Sequence, residues 1–412
     1  GNTIGKAVLS VLSSGFLAHL VGKDPLARTT DAIDRASACY KRLRSIVLSM
    51  PLYQAIQSAS ATIGRAAQSG STTLLRINYS YWVAFFAALM LIITNVVLIA
   101  ADLVAIDSGI ALLTGLPWLW FALPVAIVFW YISVFRSFEV FRKIFMVLSL
   151  VFVTYLIAAI SSRANWMDAL QRVFVPPARF DLTGLSIAIA LLGAIFAPYA
   201  LFWLIQTEKE QKRPESWKQQ LRLTVLDVAS GSVGGTVIAY TIIICISATI
   251  FARHSQIATV ANVAQSLEPL VGPAARYLFA VGLIGAGIVS IPVLLASISY
   301  AVSGPSGWPI GLSERSWRHT GFSRILTGAL VVSLLLAFLR FDPLRLIFWE
   351  NVLTGVLAPV LLVYLLLFGK MRKSIGNRRV GQFTNPGLLV VALVMLVAAL
   401  LLFSGLAVRP GW

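Results

Sequence analysis

Apolar positions along the chain come in long blocks. Clear runs cover 81–106, about 116–135, 141–160, 223–251, 271–302, 324–341, 344–369 and 386–406. Such runs match the roughly 20 residues with which an α-helix crosses a bilayer. A run over 46–64 is apolar with a polar stripe of Gln54, Gln57 and Ser58, which predicts a membrane helix with one interior-facing side. Ordinary hydrogen bonding between helices would account for that stripe equally well. Two further runs are interrupted. Residues 7–22 stop at Lys23-Asp24-Pro25, and 182–213 carries Pro198 in its middle, ahead of a charged tail. Proline lacks an N–H and disfavours helix at the preceding residue, here Ala197. Inside lipid the freed carbonyls must be met by protein, water or a bound ion. A Pro-kinked helix with no ligand is the plainer alternative.

Counting 7–45 and 182–213 as one crossing each gives eleven spans. The two breaks then fall in the first and sixth, five helices apart, which is the pattern of an inverted-repeat transporter. The predicted fold class is an all-α polytopic membrane protein of 5+5 helices plus an eleventh. It forms a single transmembrane domain over 1–412, with a first repeat at 1–160, a second at 182–369 and an extra C-terminal helix at 386–406.

Composition agrees. Hydrophobic residues make up 58% and charged residues 12% of the chain, too apolar for a soluble domain. The net charge of +17 sits largely between the apolar runs. It there sets topology and touches anionic lipid, so no nucleic-acid partner is implied. A cytoplasmic N-terminus puts most basic loops inside; Lys41, Arg42 and Arg44 disagree with that orientation. Two cysteines give no disulfide framework, and three scattered histidines give no zinc spacing. No nucleophile–base pair or phosphate-cradling loop stands out, so an enzyme is not expected.

The candidate chemistry lies in a few polar residues among apolar ones. Asp24 ends a half-length apolar run beside a proline. A carboxylate at the bilayer centre costs about 2.5–3.5 kcal/mol, which makes it a functional candidate; a solvated turn after an interfacial helix is the alternative. Between 28 and 42, Arg28, Asp31, Asp34, Arg35, Lys41 and Arg42 share one helical face, as for a wet vestibule or an interfacial segment. The span 81–106 carries Asn95 and Asp102, with Asp102 as the one acid in its apolar core. Asp102 is a candidate for a proton path or, equally simply, a hydrogen bond to a neighbouring helix.

Several stretches resemble the Nramp family of divalent-metal transporters, and more closely its bacterial Nramp-related, magnesium-transporter-like branch. Asp24-Pro25-Leu26-Ala27 stands where the family has D-P-G-N or D-P-S-G. Met50-Pro51-Leu52 falls where the branch has L-P-L. The stretch 95–103 matches the branch pattern. Phe196-Ala197-Pro198-Tyr199 falls where the family has M-P-H and the branch S-P-Y, and 282–302 is also close. The resemblance is weakest in the first helix.

The resemblance implies a LeuT-like fold in a cell membrane, that of a bacterial inner membrane, with a cation site between the two breaks. It implies no cofactor, since the divalent ion is the substrate, and partners limited to that ion and the bilayer around a monomer. Asp24 and the Ala194 carbonyl would be the metal ligands. Ala27 replaces the family's Asn and Ala197 its Met. Without the thioether, what remains is oxygen, which suits Mg²⁺ or Mn²⁺. Ala27, Arg28, Gln54, Ala197, Pro198 and Tyr199 would line or gate the cavity. Tyr199 replaces the family's His, and Asp102 is left among the third-helix acids, so transport is expected to be weakly or not proton-coupled. Arg28 stands i+4 from Asp24 and would repel a cation or pair with that acid. The competing expectation is therefore a non-transporting receptor or partner subunit with a filled site.

Overall fold

A computed structural model describes residues 57–67, 69–135, 202, 205, 237, 272, 275–306, 320–339 and 343–369, together with 389, 393, 396, 397 and 400. Within these, a helical stretch over 57–67 precedes six helices: α1 (Ser71–Asn78), α2 (Tyr81–Thr114), α3 (Leu119–Phe135), α4 (Ala275–Ser306), α5 (Thr320–Phe338) and α6 (Pro343–Gly369). The expected spans at 81–106, 116–135, 271–302, 324–341 and 344–369 are all present as helices. Those at 7–45, 141–160, 182–213 and 223–251 lie wholly or almost wholly outside the described residues.

Helix α2 is the axis of the described part. It packs most extensively against α4, and α1, α3, α5 and α6 also contact it. Ser80 caps its start, accepting a hydrogen bond from the Val83 N–H at 3.3 Å. Gly115 closes it at φ 77°, its N–H donating to the Ala111 carbonyl at 2.8 Å. Only a residue without Cβ adopts that left-handed conformation freely, which is why the helix stops there. Its 34 residues rise about 50 Å, more than the roughly 30 Å of a hydrocarbon core, so the excess goes into tilt or protrusion. Exposed Tyr81, Trp82, Phe85 and Phe86 form a chain of edge-on and stacked rings at its start. Amphipathic aromatics of this kind gather at membrane–water boundaries.

Hydrogen bonds join the helices across the apolar interior. Ser333 Oγ on α5 donates to the Val96 carbonyl on α2 at 3.0 Å. Trp130 Nε1 on α3 donates to Thr327 Oγ1 on α5 at 2.9 Å. Such bonds and small residues hold helices together where lipid removes the hydrophobic drive. Near the C-terminus, exposed Leu389, Leu393, Leu396, Val397 and Leu400 recur at helical spacing, an apolar stripe suited to lipid.

The segment 65–80 lies between the apolar runs 46–64 and 81–106 and so reads as a connecting loop. It contains α1, whose Ser71, Thr72, Leu74 and Leu75 are buried. Tertiary contacts hold it there. Thr72 Oγ1 donates to the Tyr300 carbonyl at 3.4 Å, and Arg76 Nη1 to the Pro305 carbonyl at 2.7 Å. Gly304 leaves the room that Thr72 fills. A polar octamer seated by long-range contacts has no local hydrophobic signature.

Two glycines set the closeness of α2 and α4. A Cβ on Gly109 would come 3.0 Å from the Ala280 carbonyl oxygen, and one on Gly287 3.2 Å from that of Asp102 and against the Ile106 side chain. Gly287→Val should therefore cost about 1–3 kcal/mol through overpacking, seen as a lower thermal midpoint in detergent. Gly328→Ala, with nothing within 4 Å in the interior of α5, should leave the midpoint unchanged or raise it slightly. Equal midpoints for the two variants would contradict the close approach.

Candidate functional site

From Leu98 to Gly109 every side chain of α2 is buried. A helix apolar on all sides is one that neighbours enclose. Within this enclosed stretch and just before it sit the polar residues Thr94, Asn95, Asp102, Asp107 and Ser108. Thr94 is satisfied locally, its hydroxyl donating to the Met90 and Leu91 carbonyls.

Asn95, Asp102, Ile106 and Gly109 recur at spacings of seven, four and three, which places them on one face. That face meets α4. Asn95 Nδ2 donates to the Leu294 carbonyl at 3.4 Å, while its buried Oδ1 has no partner among the described residues. Ser290 Oγ on α4 donates to Asp102 Oδ2, and both residues are buried. Pro292 follows two residues later and supplies no N–H for the Ile288 carbonyl, so the α4 ladder is interrupted beside this pair. The hydrogen-bond reading of Asp102 is thus realised. A hydroxyl-bonded carboxyl between two helices also joins a titratable group to the packing of α2 on α4.

Asp107 is what the sequence reading missed. It too is fully buried, which corrects the description of Asp102 as the one acid in this helix's apolar core. The apolar run read as 81–106 stops eight residues short of the helix end at Thr114. Apolar residues continue to Leu113, and Gly115 is the stop signal that would have brought Asp107 inside.

The remaining expectations divide. Of the polar stripe on 46–64, Gln57 is buried and Ser58 half-buried, but Ala59, Ala61 and Ile63 on the other sides are buried too, so burial does not single out an interior-facing side; Gln54 lies outside the described residues. Gly64 on that stretch lies directly against the Ile205 backbone, and the Phe202 ring meets Phe368 of α6 edge-on at 6.0 Å. The residues just after the predicted sixth-span break are therefore enclosed by described elements. Asp24, Ala27, Arg28, Ala194, Ala197, Pro198 and Tyr199 lie outside the described residues. Among the described residues no three His, Cys, Asp or Glu side chains group as metal ligands.

Comparison with known proteins places this arrangement. The "Divalent metal cation transporter MntH" of Deinococcus radiodurans is 26% identical over 418 residues, covering 97% of this chain and 91% of that protein. A crystal structure of the Eremococcus coleocola manganese transporter superposes with a TM-score of 0.75 at 16% identity, covering 97% of this chain and 85% of the other. MhsT superposes at 0.56 and 14% identity, with 97% of each chain covered. These structural likenesses establish that the chain shares the helical fold of those two proteins. The family model described as natural resistance-associated macrophage protein-like matches residues 15–404, and the chain belongs to the Nramp family, as a multi-pass membrane protein rather than an enzyme.

Proposed function

We propose that this protein carries a divalent metal cation across the membrane by alternating access, with Mg²⁺ or Mn²⁺ as cargo. The observation that carries the reading is the family match over nearly the whole chain, together with a full-length relative named as a divalent metal cation transporter. That relationship favours transport over a receptor with a filled site.

In this reading the fold is the 5+5 inverted repeat with an eleventh helix, spans one and six broken, in the single domain and repeat boundaries given above. Asp24 is the charged ligand and the Ala194 carbonyl a second. The loss of thioether at Ala197 and of amide at Ala27 leaves oxygen donors and water, the first shell that a hard cation keeps. It is also what aligns the chain with the magnesium-type branch. Ala27, Arg28, Gln54, Ala197, Pro198 and Tyr199 line or gate the path. Coupling to protons is weak or absent, and the molecule works as a monomer. Asp102 contributes through its hydroxyl bond to Ser290 at the α2–α4 contact.

Influx of Mg²⁺ and Mn²⁺ into proteoliposomes tests the proposal. Wild-type protein should give saturable uptake that Asp24→Ala abolishes; uptake untouched by that change would remove Asp24 from the path. Ala197→Met restores a soft ligand and should shift selectivity from Mg²⁺ toward Mn²⁺ and Cd²⁺ in competition uptake; an unchanged preference would place the selectivity elsewhere. Ser290→Ala leaves Asp102 short of a donor. It should lower stability by about 1.5–3 kcal/mol, measured by thermal midpoint, whereas Asp102→Asn keeps an acceptor for Ser290 and should lose less. The reverse order would contradict the role given to that bond.

A further inference from the structure

Asp107 plays no part in the path just described. It has no exposed surface, and neither carboxyl oxygen has a hydrogen-bond partner among the described residues. It sits five residues beyond Asp102, about 140° around the helix and about 7.5 Å along it, so it does not share the face that meets Ser290. Of the side chains flanking it on its own face, Ala100, Leu103 and Val104 before it are apolar and fully buried, and Ile110 and Ala111 after it are apolar and half-buried.

The described charged side chains on elements packed against α2 do not answer it. Arg76 of α1 donates to the Pro305 carbonyl and Arg276 of α4 to the Leu112 carbonyl, while Arg324 of α5 is exposed. The phenols on these elements, Tyr131, Tyr277, Tyr300 and Tyr364, make no hydrogen bond to it either. A bare carboxylate so placed costs several kcal/mol even after relaxation, so it calls for a positive charge at the carboxyl itself. A magnesium-like ion needs about six oxygen ligands, and no acidic or histidine cluster surrounds Asp107 among the described residues. A proton needs a single oxygen.

We propose that Asp107 is a proton-binding site of this transporter, separate from the Asp102–Ser290 pair and from the cation path through Asp24. Its functional consequence rests on the transport reading. Loading the proton keeps the interior of α2 dry and packed, and losing it admits water or a cation beside the helix, so the state of Asp107 sets how uptake depends on pH.

Infrared difference spectroscopy on the full chain in liposomes tests the site without any transport. The expected result is a protonated-carboxyl C=O band that declines as pH is raised. The band persists in Asp102→Asn and is lost in Asp107→Asn, or in Asp107→Leu should the asparagine variant not fold. Saturating Mn²⁺ at constant pH leaves it in place. No such band at any pH, or its removal by Mn²⁺, overturns the proposal, the second outcome making Asp107 a metal ligand instead. In proteoliposomes Asp107→Asn should flatten the pH profile of Mn²⁺ uptake while leaving the half-saturating concentration unchanged; a wild-type pH profile in a transporting variant overturns the functional consequence. If wild-type protein moves no cation, the cation-path reading fails, and the infrared result still decides Asp107.

Discussion

A carboxyl group enclosed among apolar helices must be answered by a hydrogen bond, a cation or a proton, because lipid and core side chains supply no solvation. Helix α2 carries two such groups, and the described architecture is arranged around them. Asp102 is answered by a hydroxyl from α4. For that hydroxyl to reach it, the two backbones must lie close, and Gly109 and Gly287 make this closeness sterically feasible. The seating of α1 on the end of α4, through Thr72 and Arg76, extends the same contact. Among the described residues Asp107 has no such answer, which is the basis for assigning it a proton.

This bears on the proposed function, in which the ligand set departs from that of the family. Substituting Ala27 and Ala197 for an amide and a thioether widens the proposed ion path and removes its soft character, while Asp24 keeps the charge. A hydrated ion held by one carboxylate and one carbonyl is bound loosely, which favours release over tight capture. Under the proposed function, the charged residues from Arg28 to Arg42 would tune the approach of cations to Asp24. The enclosed residues Phe202 and Ile205, packed against α6 and 57–67, give the sixth span a firm wall just beyond its proposed break.

Much of the fold was legible because lipid imposes a coarse rule: long apolar runs become helices. The spans beginning near 81, 116, 271, 324 and 344 follow from it directly. The rule fails where packing replaces hydropathy. Helix α1 reads as a loop because its polar side chains are satisfied by α4, 228 and 229 residues away in the chain. The partner of Asp102 was equally invisible, since a serine on a distant run carries no pairwise signal. Asp107 was overlooked for a local reason, a helix end placed at 106 when the left-handed Gly115 sets it at Thr114. The two breaks and Asp24 stand out from proline and charge within apolar runs, whereas the ligand set proposed there comes from resemblance and lies outside the described residues.

The account stands or falls on whether a divalent cation crosses. Currents recorded from reconstituted protein on a solid-supported membrane after a jump in Mg²⁺ or Mn²⁺ measure that crossing directly. The account predicts a saturable transient current for these ions that follows the direction of the cation gradient. Folded protein, verified by its thermal midpoint, that gives no current for any divalent cation would contradict it.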